Sequence, residues 1–390
     1  TVFKLYDTYG FPVDLTADVA RERDLTIDHQ GFDDAMAAQR ARARSASQFV
    51  QGDEIKLEGV EKTPFLGYQS LESDAEVVAL IREGKVVDGL ADGEEGMVVL
   101  NQTPFYAESG GQVGDSGALS ADGAAFEVSD TQYLGNKVIA HIGRIDSGKL
   151  ETGQGVQARV TPGERHACAN NHSATHLLHA ALKTVLGNHV DQKGSLVEAD
   201  RLRFDFSHFE AVTREQLDEI ETLVNQNIRA NHEVGVKTMD LDEAKAAGAE
   251  ALFGEKYDAQ VRTIRMGEFS FELCGGTHVS RTGDIGYFRI LSESGVAAGV
   301  RRIEAVTAAG AERWASELDG LVRNLAGTLK TSPDKLQARL ASLLETQKQQ
   351  QKQIQQLQTR LATGGGGGEQ VREISGVKVL AMRQDDTDVK

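Results

Sequence analysis

Cysteine is scarce in this chain, with two among 390 residues. Two thiols build no disulfide framework, and so low a count points to a reducing cytoplasm. Long apolar runs are missing as well. None approaches the roughly 20 residues that cross a bilayer, and no secretory leader is visible, so no membrane partner is expected. Basic residues are outnumbered, 42 Lys and Arg against 59 Asp and Glu, for a formal charge of −17. A body this acidic lacks the broad basic face that neutralises phosphates. Any nucleic-acid contact is thereby confined to local clusters such as Arg40, Arg42 and Arg44, or Arg301 and Arg302, each of which reads equally as a solvated charged face. With 40% hydrophobic and 26% charged residues, a chain of this length has the make-up of a globular protein with two or three cored domains.

What the sequence does hold is a pair of short motifs about 100 residues apart, His172-Ser173-Ala174-Thr175-His176 and Cys274-Gly275-Gly276-Thr277-His278. Ala174, Leu177, Leu178, Ala181, Leu182 and Val185 recur at helical spacing and mark one apolar face. His172 and His176, one turn apart, leave the same helix together from the opposite side. In the second motif Gly275 and Gly276 argue for a tight turn on which Cys274 and His278 converge. Three imidazoles and a thiolate are borderline-soft donors suited to tetrahedral Zn²⁺, one ion per chain. His-x3-His alone is also the pattern of two packed histidines; it is the CGGTH half that makes it a metal site. No Glu follows His172, so the general base of an HExxH protease is lacking. A structural zinc site closes four protein bonds, whereas a catalytic one keeps a position open or exchanges a ligand for water. His179 is expected as a packed or hydrogen-bonding neighbour, and Cys168 as a small buried residue.

Along the chain the pattern changes four times. Residues 1–50 read as helices, one from Pro12 and Asp14 to Glu22 and one from Phe32 to Ser47. Residues 51–160 carry short β-runs separated by Gly and Asp, at Glu76–Arg82, Gly96–Leu100, Ala125–Gln132, Lys137–Gly143 and Val156–Thr161, which predicts a small β-barrel. The Gly-rich stretch Pro104–Asp115 inside it suits a bulged corner or a loop near a nucleotide; the corner is favoured, and no phosphate loop is present because the Lys-Ser/Thr ending is absent. Residues 161–310 predict helices on an antiparallel sheet, including Leu202–Phe206, Val261–Met266, Phe269–Leu273, Tyr287–Ser292 and Arg301–Thr307, with a capping box at Thr213 and Gln216. The fold class is therefore α+β. In residues 311–362, Leu318, Val322, Leu325 and Leu329 form one helical stripe, and Ser332-Pro333 restarts a helix whose heptad seam, Leu336 to Leu361, holds Gln347 and Gln350 at its centre. An antiparallel helical hairpin is expected, with a dimerising coiled coil as the rival. Residues 363–390 comprise the Gly364–Gly368 linker and a β-run from Ile374 to Met382.

These motifs resemble a known family. The two ligand pairs, with Leu5–Thr16 (LYDTYGFPVDLT), Thr103–Asp115 (TPFYAESGGQVGD), Gln192–Val197 (QKGSLV) and Gly299–Thr307 (GVRRIEAVT), resemble in order the alanyl-tRNA synthetases (alanine–tRNA ligases) around their zinc-bearing editing domain, which is shared with free-standing alanyl-tRNA deacylases. The resemblance implies a C-terminal fragment of a longer protein, opening inside a motif. It makes 1–50 the end of a helical tRNA-recognition domain and 363–390 the start of a C-terminal globular domain. It also implies hydrolysis of seryl- or glycyl-tRNA(Ala), tRNA(Ala) as partner, and zinc on His172, His176, Cys274 and His278. ATP binding and alanine activation would reside in an N-terminal domain outside this chain. Gln192, beside the zinc in that family, is expected to hydrogen-bond the substrate hydroxyl or the attacking water, and Thr175 and Thr277 to support the ligands. Arg301 and Arg302 are expected to hold acceptor-stem phosphates, and the C-terminal helices to serve any oligomer. Three rival readings stand: an editing domain of threonyl type, a tRNA-binding module whose zinc is structural, and a coiled-coil interaction protein.

Overall fold

The computed structural model describes residues 62–135, 137–251, 257–364 and 372–379, with the single positions 31, 57 and 60. The helices expected within residues 1–50, with Arg40, Arg42 and Arg44, fall outside these, as do residues 365–368 of the glycine run. Described residues up to Glu312 form one compact unit and those from Arg313 a second.

Period-two alternation puts one side of each early strand inward, as in Gly155–Val160, where every second residue is buried. Nine strands result: β1 (Glu72–Arg82), β2 (Lys85–Val87), β3 (Gly89–Ala91), β4 (Glu95–Leu100), β5 (Gly117–Ala121), β6 (Ala124–Leu134), β7 (Val138–Ser147), β8 (Lys149–Glu151) and β9 (Gly155–Val160). Six of them close a ring in the order β1-β4-β7-β6-β5-β9, with β9 returning to β1. Strand β1 closes it by dividing its length: Glu72–Glu76 pairs with β9, and Val77–Ile81 pairs with β4 across a bulge. The expected barrel is thus present, and closure leaves its ring without a free edge. Phe105, Leu119, Phe126, Ile145 and Val98 fill its core. Strands β2, β3 and β8, of three residues each, are too short to show alternation and were not expected.

Pro162 at the first turn starts α1 (Pro162–Leu186), which runs straight out of β9. Its stripe of Ala174, Leu177, Leu178, Ala181 and Leu182 is fully buried against Phe204, Phe206, Phe288 and Ile303. Those residues belong to an antiparallel sheet of β10 (Gln192–Val197), β11 (Leu202–Ser207), β15 (Phe288–Ala297) and β16 (Val300–Thr307), ordered β10-β11-β16-β15. Helix α2 (Arg214–Arg229) begins on the expected capping box, with both Thr213 and Gln216 bonds formed, and packs Ile220, Val224 and Ile228 into the same core. A second sheet holds β12 (Val234–Asp240), β13 (Gln260–Met266) and β14 (Ser270–Leu273), with the short helix α3 (Leu241–Ala246) between its first two strands. Helices on antiparallel sheets make this half α+β, as expected.

Beyond it lie α4 (Ala308–Thr328), α5 (Leu336–Gly364) and a hairpin of β17 (Arg372–Ile374) and β18 (Val377–Val379). Ser332 stands at the N-cap before a 3-10 turn at Pro333–Lys335, but its side chain makes no capping bond. Leu318, Leu325, Leu340, Ile354, Leu357 and Leu361 on α4 and α5 are exposed. No helix among the described residues is long and apolar enough to cross a membrane.

Candidate metal centre

Helical spacing brings His172 and His176 to one side of α1, their rings stacked at 5.2 Å between centroids. That side is not solvated. From Asn171 to His179 the helix is buried on every face, because the CGGTH turn and a loop of the barrel cover what the sheet does not. Strand β14 delivers Cys274, and the turn after it folds His278 back to within 3.2 Å of the sulfur, Nε2 to Sγ, while His172 Nε2 lies 3.4 Å away. One donor atom from each of His172, His176, Cys274 and His278 lies within 4.8 Å of the other three. The four expected ligands are therefore assembled.

Of the two glycines of the turn, Gly276 is the one that the packing requires, since a Cβ at Gly275 would meet nothing within 4 Å. A Cβ on Gly276 would come within 2.1 Å of His172 Cε1, so only glycine lets the ring lie against the backbone. Gly275 bonds its carbonyl to the Tyr68 hydroxyl. Arg262 fixes the turn from below, donating through Nη1 to the carbonyls of Cys274 and Gly276, both at 2.9 Å, with its guanidinium 4.1 Å from the Tyr68 ring centroid.

Each imidazole is held from behind at Nδ1. Gln112 Oε1 lies 2.8 Å from that of His172, Glu272 Oε2 2.6 Å from that of His176, and Ser173 Oγ 3.2 Å from that of His278. Such outer contacts fix which nitrogen turns inward. His176 Nε2 and His179 Nε2 are both buried with no hydrogen-bond partner among the described residues, but only His176 belongs to the group of four donors within 4.8 Å of one another. The other oxygen of Glu272 holds His179 Nδ1 at 2.9 Å, so His179 is the hydrogen-bonding neighbour expected of it.

Burial opposes charge on Cys274, His278, Glu272 and His176. At Cys274 it is outweighed by His172, His278 and His176, which hold the thiol well below its ordinary value and favour the thiolate. At His278 burial wins and carries the pKa down to about 3, leaving a neutral ring with a lone pair to give. Burial pushes the Glu272 carboxyl up, but His176 and His179 hold it below the carboxylate range; the same carboxylate raises His176 against its burial. Three imidazoles, that of His278 neutral, and a cysteine held toward its thiolate form a donor set that fits a borderline-soft divalent cation such as Zn²⁺.

Beside the cluster opens a pocket of about 180 Å³ lined by Gln192, Thr175, Ser195, Tyr106 and Arg262. Gln192 and Thr175 line this pocket together with His172, His176 and Cys274. Thr175 is buried and its hydroxyl donates to the Asn171 carbonyl at 2.8 Å, leaving its lone pairs as acceptors. Thr277 lies beside the cluster too, bonded to Gln112 through its N–H and its Oγ1. Arg301 and Arg302 lie away from this pocket. Consecutive in β16, they leave the sheet on opposite faces, paired with Glu293 and Asp205 respectively, so they do not form one clamp.

Sequence reading missed Gln112 and Glu272. Gln112 sits in the Gly-rich stretch that was expected to be a barrel corner; the stretch is instead a loop reaching into the metal cluster. Its signal, Gly110 and Gly111 at φ +59 and +84 before a fully buried Gln, was present but pointed to no partner. Glu272 was marked only by being an acid among buried positions in a strand.

Comparison with known proteins gives the following. A family model described as tRNA synthetases class II (A) matches residues 1–163, and one described as Threonyl and Alanyl tRNA synthetase second additional domain matches residues 261–304. An alanine–tRNA ligase from Idiomarina loihiensis is 54% identical over 391 aligned positions, covering 100% of this chain and 45% of its own length. Those from Shewanella loihica and Hydrogenovibrio crunogenus are 55% and 52% identical over 97% and 100% of the chain, and 44% and 45% of their own lengths. The chain spans rather less than half the length of these relatives.

Proposed function

We propose that this chain, similar along its whole length to alanine–tRNA ligases, carries an editing domain that hydrolyses tRNA(Ala) wrongly charged with serine or glycine. The observation that carries the proposal is the four-ligand cluster, with the orphaned His176 Nε2, beside a small pocket lined by Gln192 and Thr175. His172, His176, Cys274 and His278 would hold one zinc ion, which when bound supplies polarisation of an ester carbonyl or activation of water.

The chain's own residues select and orient. A pocket of about 180 Å³ suits a small amino acid. An apolar pocket rewards an added hydroxyl weakly, whereas a polar one that bonds it discriminates strongly. Thr175 offers lone pairs to a serine hydroxyl because its own proton is committed to Asn171. Gln192 adds an amide that donates to or accepts from the same hydroxyl or the attacking water. Arg301 and Arg302 spend Nε and Nη2 on their carboxylates, and Nη1 of each is the donor proposed for RNA phosphate. The exposed leucines of α4 and α5 give a helical pairing or an oligomer its apolar surface.

The test is release of serine from seryl-tRNA(Ala) by this chain, with alanyl-tRNA(Ala) and a Cys274→Ala variant alongside. Selective release, lowered more than about 100-fold in a folded variant, is expected. A folded chain that holds zinc and releases nothing would replace this reading with a binding module whose zinc is structural.

A further inference from the structure

The barrel and the metal cluster meet through one fully buried amide. Gln112 is 0% exposed, and it leaves a loop whose backbone is stitched to β10: Val197 N–H donates to the Gly111 carbonyl at 2.7 Å, and Val113 N–H to the Val197 carbonyl at 3.1 Å. Gly111 is required for that approach, since a Cβ there would stand 2.6 Å from the Ser195 carbonyl oxygen. The loop is thus held to the metal-bearing half at its backbone, and its glutamine projects between the two ligand motifs.

The orientation of that amide follows from a donor that has no alternative. The Thr277 backbone N–H points at the end of Gln112 that lies 2.9 Å away, and an N–H can only donate, so this end is Oε1. The same oxygen lies 2.8 Å from His172 Nδ1. As an acceptor it requires the proton of His172 to sit on Nδ1. Gln112 Nε2 then donates to Thr277 Oγ1 at 2.9 Å, which completes the amide. With Nδ1 protonated, His172 Nε2 carries the lone pair, and it faces Cys274 Sγ at 3.4 Å.

We infer that Gln112 is a positioning residue for the metal centre: through one oxygen it sets the tautomer of His172 and ties it to the backbone of Thr277, so that an arm of the barrel determines how tightly the cluster holds zinc. The inference rests on the metal reading of the cluster and not on ester hydrolysis. Gln112 bridges a ligand of the first motif and a residue between the two ligands of the second, which places it where a single side chain orders both.

Two variants of similar size separate the acceptor from the bulk. Gln112→Leu removes the oxygen; Gln112→Glu keeps it. Zinc affinity is read by competition with a chromophoric chelator, without any RNA substrate. The leucine variant is expected to bind zinc about 10- to 100-fold more weakly than the parent, with the glutamate variant within a few-fold. A folded leucine variant with parental affinity overturns the inference, and so does a glutamate variant as weak as the leucine one. Where the leucine variant does not fold, long-range ¹H–¹⁵N correlation on the metal-free parent decides. A His172 ring protonated at Nδ1 supports the inference, and one protonated at Nε2 overturns it. Neither readout depends on serine release, so the failure of one proposal is distinguishable from the failure of the other.

Discussion

The barrel and the half that carries the ligand cluster each bury a histidine, and the two are finished differently. His141, inside the barrel wall, has Nδ1 on the Val98 carbonyl at 2.8 Å and Nε2 on the Thr103 hydroxyl at 2.7 Å. Both nitrogens are answered by protein, and burial, against that carbonyl bond, lowers its pKa to about 4. His176 has one nitrogen on Glu272, and the other has no hydrogen-bond partner among the described residues. His179 Nε2 is equally unpartnered among the described residues, so an open nitrogen alone does not mark a ligand; what sets His176 apart is that its donor atom lies within 4.8 Å of those of His172, Cys274 and His278. The contrast extends to the acids: Asp115 meets the buried guanidinium of Arg165, whereas Glu272 spends both oxygens orienting imidazoles.

The largest test of that contrast lies where the halves join. Arg165, on α1, pairs with Asp115 of the barrel and donates to the Gly67 and Pro104 carbonyls, each at 2.8 Å. Arg165→Met strands a buried carboxylate and is expected to cost about 3–5 kcal/mol in denaturant unfolding, in a single transition. A loss confined to one of two separate transitions would break the comparison, since the halves would then be independent. Next is Glu272→Gln, which can accept from His176 or His179 but not fully from both. Zinc affinity is expected to fall about 10- to 100-fold, and an unchanged affinity would mean that His176 needs no support. Smallest is the pH response of His141. Its folded pKa lies below the ordinary 6.5, so below pH 6.5 the unfolded chain takes up a proton that the folded one refuses. Its stabilisation is whole above that pH and is lost as pH falls toward about 4, amounting to about 2 kcal/mol by pH 5. Unfolding free energies from urea titrations at pH 7 and pH 5 should differ by about 2 kcal/mol less in His141→Gln than in the parent.

Local periodicity made much of this legible. Expected strand Gly96–Leu100 is Glu95–Leu100, and expected Leu202–Phe206 is Leu202–Ser207. Thr213 and Gln216 formed the box that their spacing announced. The four ligands were readable because each pair is four residues apart, within one helical turn or one tight loop. What escaped was set by distance along the chain. Gln112 meets His172 across 60 positions and Thr277 across 165, and Glu272 meets His176 across 96. No period relates such residues, and only the fold brings them together. Strand β12 was missed for another reason: five of its seven residues are exposed, so burial left no alternation to read. Adjacency in a strand means opposite faces, so Arg301 and Arg302 leave β16 on different sides of the sheet, each paired with its own carboxylate.

The span from Gln112 to Thr277 also sets a schedule. Synthesis at about 5–20 residues per second places roughly ten to thirty seconds between the emergence of one and of the other. During that interval the barrel can close and α1 can form, but the CGGTH turn does not yet exist. The nascent chain therefore presents His172 and His176 long before it presents Cys274. Until the last few residues of the turn leave the ribosome, a growing polypeptide offers two of the candidate ligands where the folded molecule offers four, so the proposed metal loading has to wait for that turn.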